Sequence, residues 1–349
     1  MKRQFGLGPD RISRRAVLGA AATMAAAPAL AQECRFEPQP HQKGPLVFMN
    51  YDQVELDAAY ENSVYEPNIR QISQRLASMA DGMRARRGEP QRVAYGPTEI
   101  EKLDIYKTRV ARAPIFVFIH GGTWRTGSSR RSAFPAELFI DHGAHYVALD
   151  FINVLDAGGD LRVMADQARR GIAWVYRNAE SFGGDPNRLY IGGHSSGGHS
   201  SGGHSSGGHS SGGHLCGVAL VTDWQKDFGL PADMVKGGLC MSGMYDLKPV
   251  RLSWRNSYVK FDDALERDMS SIRHIDMIRA AVTVTYGTFE TPEFQRQGRD
   301  FAAALREAGR KVTLIELPHF AHLEAEESLS NPYGPNGRAA IEMMGLARV

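Results

Sequence analysis

At 349 residues, with 42% hydrophobic and 23% charged residues, the chain has the makeup of a globular protein with a large buried core. Its formal charge is +2, but Lys2, Arg3, Arg11, Arg14 and Arg15 share the first 31 positions with one acid, Asp10, so the remainder is near −2. No basic stripe is left, which argues against nucleic acid as a partner.

The chain opens on a processing segment, residues 1–31. Ser13-Arg14-Arg15-Ala16-Val17-Leu18 resembles a twin-arginine motif, an Ala-rich apolar run follows, and Ala29-Leu30-Ala31 supplies a small-residue cleavage pattern. The apolar run is too short and too rich in alanine for a membrane span. The expectation is delivery by the twin-arginine export machinery to a bacterial periplasm or beyond. Residues 32–90 read as a tail and helical extension, and residues 91–349 as the main domain. Cys34 falls in the tail. Cys216 and Cys240 lie inside apolar runs and read as core residues rather than a disulfide or metal pair.

Within residues 68–87, Ile69, Ile72, Leu76, Met79 and Met83 recur at helical spacing. Such a helix either covers a site mouth or packs on the core. Residues 93–95 and 103–106 alternate as early antiparallel strands do. Ile115 to Ile119 is a continuous apolar run, the mark of a strand buried on both faces. It leads into His120-Gly121-Gly122-Thr123-Trp124, where glycines let backbone N–H groups converge on one point, as stabilisation of an oxyanion requires. Residues 146–151 give the next strand and 161–178 an amphipathic helix. A turn at 182–186 feeds the strand Leu189-Tyr190-Ile191.

That strand enters the most unusual stretch of the chain, residues 192–214, in which Gly-Gly-His-Ser-Ser is written four times and closed by Gly-Gly-His. A serine flanked by glycines, between an apolar strand and a helix, is the pattern of a nucleophile held on a sharp turn. Here the pattern has four candidate serines: Ser195, Ser200, Ser205 and Ser210. Continuous helix through the extra units would add about 22 Å of rod and carry six glycines at about 1 kcal/mol each relative to alanine. Looping the units out costs about 2–3 kcal/mol of closure entropy, so a loop is expected. Ser195 keeps the register of the strand and Ser210 that of the following helix. Ser195 is favoured, since the nucleophile needs a rigid seat first. Ser196 then supplies an oxyanion N–H, and the helix N-terminus is displaced. The five histidines His194, His199, His204, His209 and His214 also allow a metal-binding tract, although their spacing comes free with duplication.

Residues 237–245 read as a strand leading to Asp246, and residues 281–286 as the next. A carboxylate follows that strand at Glu290 and again at Glu293. Residues 294–308 form a helix and 312–317 the last strand, after which come His319 and His322. Strands and helices alternating at this spacing imply an α/β fold with one mostly parallel sheet and helices on both faces. The order serine, acid, histidine fits a nucleophile, its orienting acid and its base.

From about Val93 to the C-terminus the chain resembles α/β-hydrolases of the esterase/lipase group, in the branch with HGG-x-W loops that includes arylformamidase-like enzymes. The resemblance is carried by His120-Gly121-Gly122-Thr123-Trp124, the Gly-His-Ser-Ser-Gly-Gly-His elbow, residues 290–297 and Ala321-His322-Leu323-Glu324. It implies a Ser195–His322–Glu290 triad, with Glu290 favoured over Glu293 and Asp246 in reserve. Gly121, Gly122, Thr123 and Ser196 form the oxyanion hole and Trp124 lines the pocket, with no metal or organic cofactor. The implied partner is a small ester or amide substrate, an arylformamidase-type amidase being the alternative. A scaffold whose catalysis is impaired by the repeat, left with a His-rich metal-binding tract, is the rival from another class. Relatives carry one copy of the elbow unit, so fifteen residues are inserted here.

Overall fold

The computed structural model describes residues 39–195 and 212–347. The N-terminal segment, Cys34 and residues 196–211, including Ser196, Ser200, Ser205 and Ser210, lie outside the described residues. Among the described residues, three helices precede the sheet, α1 (Gln53–Ala59), α2 (Asn62–Tyr65) and α3 (Ile69–Arg87). An eight-stranded sheet follows, made of β1 (Gln91–Ala94), β2 (Lys102–Tyr106), β3 (Ala113–Ile119), β4 (His145–Leu149), β5 (Gly184–His194), β6 (Val235–Met241), β7 (Ala281–Gly287) and β8 (Val312–Leu317). Its order is β1-β2-β4-β3-β5-β6-β7-β8. β1 and β2 run antiparallel to their neighbours, and every pair from β4 to β8 is parallel. The connecting helices are α4 (Ala136–Asp141), α5 (Leu161–Asn178), α6 (Gly212–Leu220), α7 (Trp224–Phe228), α8 (Lys248–Leu252), α9 (Asp263–Asp268), α10 (Pro292–Glu307), α11 (His322–Glu327) and α12 (Pro335–Met344). This is the α/β-hydrolase fold. Among the described residues, no helix is long and apolar enough to cross a membrane.

The two-residue period of β3 explains the layering. Ile115, Val117 and Ile119 face a core shared with α5, α6 and α10, while Phe116 and Phe118 face a second core shared with α3, α4 and α12. The α3 stripe predicted from Ile72, Leu76 and Met83 is therefore core packing. Cys216 and Cys240 are buried free thiols, their sulfurs 3.7 Å apart.

The strand and helix flanking the repeat meet at Ser195. β5 runs through His194, Ser195 follows, and the N–H of Gly213 in the first turn of α6 donates to the Ser195 carbonyl at 3.2 Å. The helix N-terminus is thus not displaced from the elbow, contrary to the sequence expectation. Ser195 of the first unit and Gly212 and Gly213 of the closing Gly-Gly-His lie at adjoining points. Only glycine permits this approach. A β-carbon on Gly193 would lie 2.0 Å from the Gly212 carbonyl oxygen, and one on Gly212 would lie 1.9 Å from that of Ile119. Gly193→Ala should therefore cost about 3 kcal/mol of stability, read as a lower urea midpoint at unchanged slope. A midpoint equal to the parent's would show that α6 can back away.

Candidate active site

Five strands deliver their loops to one edge of the sheet, their C-terminal ends, where sites form in open α/β sheets. β3 ends in the His120–Trp124 loop, β5 in Ser195, β6 in Ser242, β7 in Glu290 and β8 in the turn before His322. Ser195 has φ +76°, a left-handed conformation rare for a residue with a side chain. It is held there by its N–H, which donates to the Met241 carbonyl at 2.8 Å, and by the Gly213 contact. This pose directs the hydroxyl to Nε2 of His322, with which it is hydrogen-bonded.

On the other side of the ring, His322 Nδ1 lies 2.7 Å from Glu290 Oε2. All three residues are buried. Burial pushes the Glu290 carboxyl upward, but His322, the Ser242 hydroxyl and the Gly287 N–H together hold it below the ordinary glutamate value. The His322 imidazole is held below its usual value by burial, against the opposing pull of Glu290. The resting state is an ionised Glu290 beside a neutral ring. An ionised carboxylate only accepts, so the ring proton sits on Nδ1 and Nε2 is left as an acceptor facing the Ser195 hydroxyl. The His194 ring packs 4.7 Å from that of His322, and its Nδ1 lies 3.4 Å from the buried Glu326 carboxylate. Glu326 favours the charged form of His322, as Glu290 does.

The other candidates separate clearly. Asp246 lies beyond the end of β6, which stops at Met241, and pairs with Arg273 at 3.0 Å. The position against His322 Nδ1 belongs to Glu290, so the reserve acid is set aside. Glu293 is buried against Arg296 and the Tyr60 hydroxyl. His319 is exposed, with φ +64° and its ring against Phe289. In the glycine loop, Gly122, Thr123 and Trp124 all have positive φ, so Gly121 to Trp124 wraps sharply beside the end of β5. Trp124 was expected to line the pocket. Its ring is fully buried instead, its indole N–H donating to His214 Nδ1 at 3.3 Å and the Arg255 guanidinium 5.6 Å from its face. It ties the glycine loop to the first turn of α6. His214 Nε2 lies 3.0 Å from the Met269 carbonyl, and burial lowers this imidazole to about 4. Both of its nitrogens are thus engaged in packing, not in a metal tract. His199, His204 and His209 lie outside the described residues.

Ser242 went unnoticed in the sequence. It sits at φ +50° just past β6, its N–H donating to the Thr285 carbonyl at 2.8 Å and its hydroxyl to Glu290 Oε1 at 2.6 Å. Gly287 N–H donates to the same oxygen at 2.7 Å. The only available signal was a polar residue at the end of an apolar run, which is common.

Residues 103–206 match the BD-FAE family model. The chain is 28% identical over 304 residues to a kynurenine formamidase of Danio rerio, covering 83% of this chain and 96% of that one. It is 26% identical over 256 residues to the esterase LipQ of Mycobacterium tuberculosis, covering 66% of this chain and 56% of that protein. Among solved structures, the carboxylesterase EstE1 from a metagenomic library superposes with a TM-score of 0.59 at 15% identity, covering 78% of this chain and 94% of EstE1. A thermophilic esterase of Thermogutta terrifontis gives 0.58 at 20% identity, covering 75% of this chain and 97% of its own. The strand order, the elbow and these likenesses converge: the chain is a hydrolase with the α/β-hydrolase fold, similar to esterases and to arylformamidase-like enzymes.

Proposed function

We propose that the protein is an exported serine hydrolase that cleaves a carboxylic ester or an aryl amide through an acyl-enzyme. The observation that carries this reading is the unbroken line from Glu290 through His322 to the Ser195 hydroxyl. In the mechanism, Ser195 Oγ attacks the carbonyl carbon as His322 Nε2 takes its proton. Glu290 fixes the ring and stabilises the imidazolium that forms. N–H groups of Gly121, Gly122 and Thr123 receive the charge that develops on the carbonyl oxygen. His322 returns the proton to the leaving group, and water repeats the sequence to release the acid. The end-to-end likeness to a kynurenine formamidase supports an aryl formamide as the second substrate class. Export rests on Ser13-Arg14-Arg15 and the Ala-rich run. It places ester or xenobiotic amide cleavage ahead of a cytoplasmic formamide.

A fluorophosphonate probe labels only an activated serine, so it separates this reading from an inert scaffold that holds metal. A panel of p-nitrophenyl esters and anilides then ranks the substrate classes. Absence of both labelling and turnover overturns the proposal. His322→Ala should lower kcat by about 10⁴-fold, whereas exposed His319→Ala should stay within about twofold of the parent. Equal losses in two folded variants would count against His322 as the base.

A further inference from the structure

His322 is the first residue of α11, a helix of six residues whose N-cap, Ala321, has no oxygen on its side chain. The free N–H groups of such a turn need acceptors, and the orientation of the first residue depends on finding them. One comes from within, since the Glu324 carboxylate accepts the Ala321 N–H at 2.9 Å. The other comes from 257 residues away. Both oxygens of Glu66, at the end of α2, lie 3.1 and 3.2 Å from the Leu323 N–H. Glu66 is buried.

The segment ending at Glu66 is itself fastened to the loop that bears the acid. Thr291, next to Glu290, donates its hydroxyl to the Ala59 carbonyl at 2.6 Å. The Tyr60 hydroxyl donates to Glu293 at 2.9 Å and accepts from Gln297 at 2.8 Å. Buried Arg255 donates to the Tyr60 carbonyl at 2.9 Å. Residues 59–66 thus bridge the segment after Glu290 and the turn that holds His322. These are the two groups whose 2.7 Å contact sets the ring.

We propose, on the hydrolase reading above, that Glu66 is a positioning residue for His322: as a hydrogen-bond acceptor supplied by the N-terminal segment, it fixes the turn from which the imidazole projects. Burial pushes the Glu66 carboxyl up to about 8, with Glu324 and Glu290 adding to the effect and the N–H groups of Leu323 and Glu324 opposing it. The carboxyl is therefore largely protonated near neutrality. What persists in both protonation states is the acceptor at this reach, not the charge.

This distinction defines the experiment on the full chain. Glu66→Asp keeps an ionisable carboxyl but shortens the reach, Glu66→Gln keeps the reach and an acceptor without an ionisable group, and Glu66→Ala removes both. Each is measured with p-nitrophenyl acetate for kcat and KM per fluorophosphonate-labelled site. Proton NMR follows the low-field signal of the His322 Nδ1–H bonded to Glu290. We expect kcat to fall by about tenfold or more in the alanine and aspartate variants, with KM within about twofold and the low-field signal broadened or lost. The glutamine variant should recover most of kcat and keep the signal. If the alanine variant does not fold, the aspartate–glutamine comparison decides alone. The proposal is overturned if aspartate retains kcat while glutamine loses it. It is equally overturned if all folded variants keep kcat and the signal, even with lowered Tm. The resonance reports on Glu66 whether or not the parent turns over the ester, so the two readings fail separately.

Discussion

Ser195→Ala should abolish fluorophosphonate labelling and reduce turnover by about 10⁴–10⁶-fold, even though three further copies of the same pentad remain in the chain. Sequence similarity alone would make the four serines interchangeable. Geometry does not, because Ser195 inherits its position from β5. Its N–H is pinned to Met241 on β6, its carbonyl receives the first turn of α6, and its left-handed backbone aims the hydroxyl at His322. Another serine would reach that seat only if β5 gave up its last residues, Gly192 to His194, which pair with β3 and β6. The variant should fold, since a buried hydroxyl is exchanged for hydrogen. Peptide mapping of the labelled parent should find the probe on Ser195. A Ser195→Ala protein that keeps more than a tenth of the parent rate, with label on a later serine, would show that the units exchange.

The second large effect is expected at Glu290. Glutamine there fills the same space and can still accept from Ser242 and Gly287, so Tm should barely move. It can also donate to His322 Nδ1, which would leave the ring proton on Nε2, where it faces the nucleophile and cannot accept. On that argument Glu290→Gln should lower kcat by about 10³–10⁴-fold. Asp246→Asn should change kcat by no more than about twofold, because Asp246 faces Arg273. A nearly silent Glu290→Gln beside a severe Asp246→Asn would reverse the assignment.

Much of this arrangement was legible in the sequence, and the exceptions have identifiable causes. The unbroken apolar run at Ile115 to Ile119 announced a buried strand, because only a strand covered on both faces needs apolar residues at every position. The amphipathic spacing of residues 161–178 matched α5 from end to end. The start of α6 was not legible. A rigid seat and a nearby helix N-terminus looked like alternatives when the repeat was read along the chain, yet glycines let Gly212 close against Gly193 and supply both. Reading residues 237–245 as one strand concealed Ser242, whose positive φ ends β6 early and turns its hydroxyl toward Glu290. Trp124 beside a glycine loop looked like a pocket wall, but an indole N–H inside a protein needs a partner, and His214 provides it. Glu66 could not have been found at all, since a lone glutamate carries no pattern and its partner is 257 residues distant.

The meeting of Ser195 with the first turn of α6 also bears on heredity. The tract begins and ends in the same Gly-Gly-His triplet, so losing or gaining whole pentads by slippage during replication returns identical residues to both junctions. Here neither junction records how many units lie between. Copy number can therefore change while both junctions stay the same, so that only the added length differs.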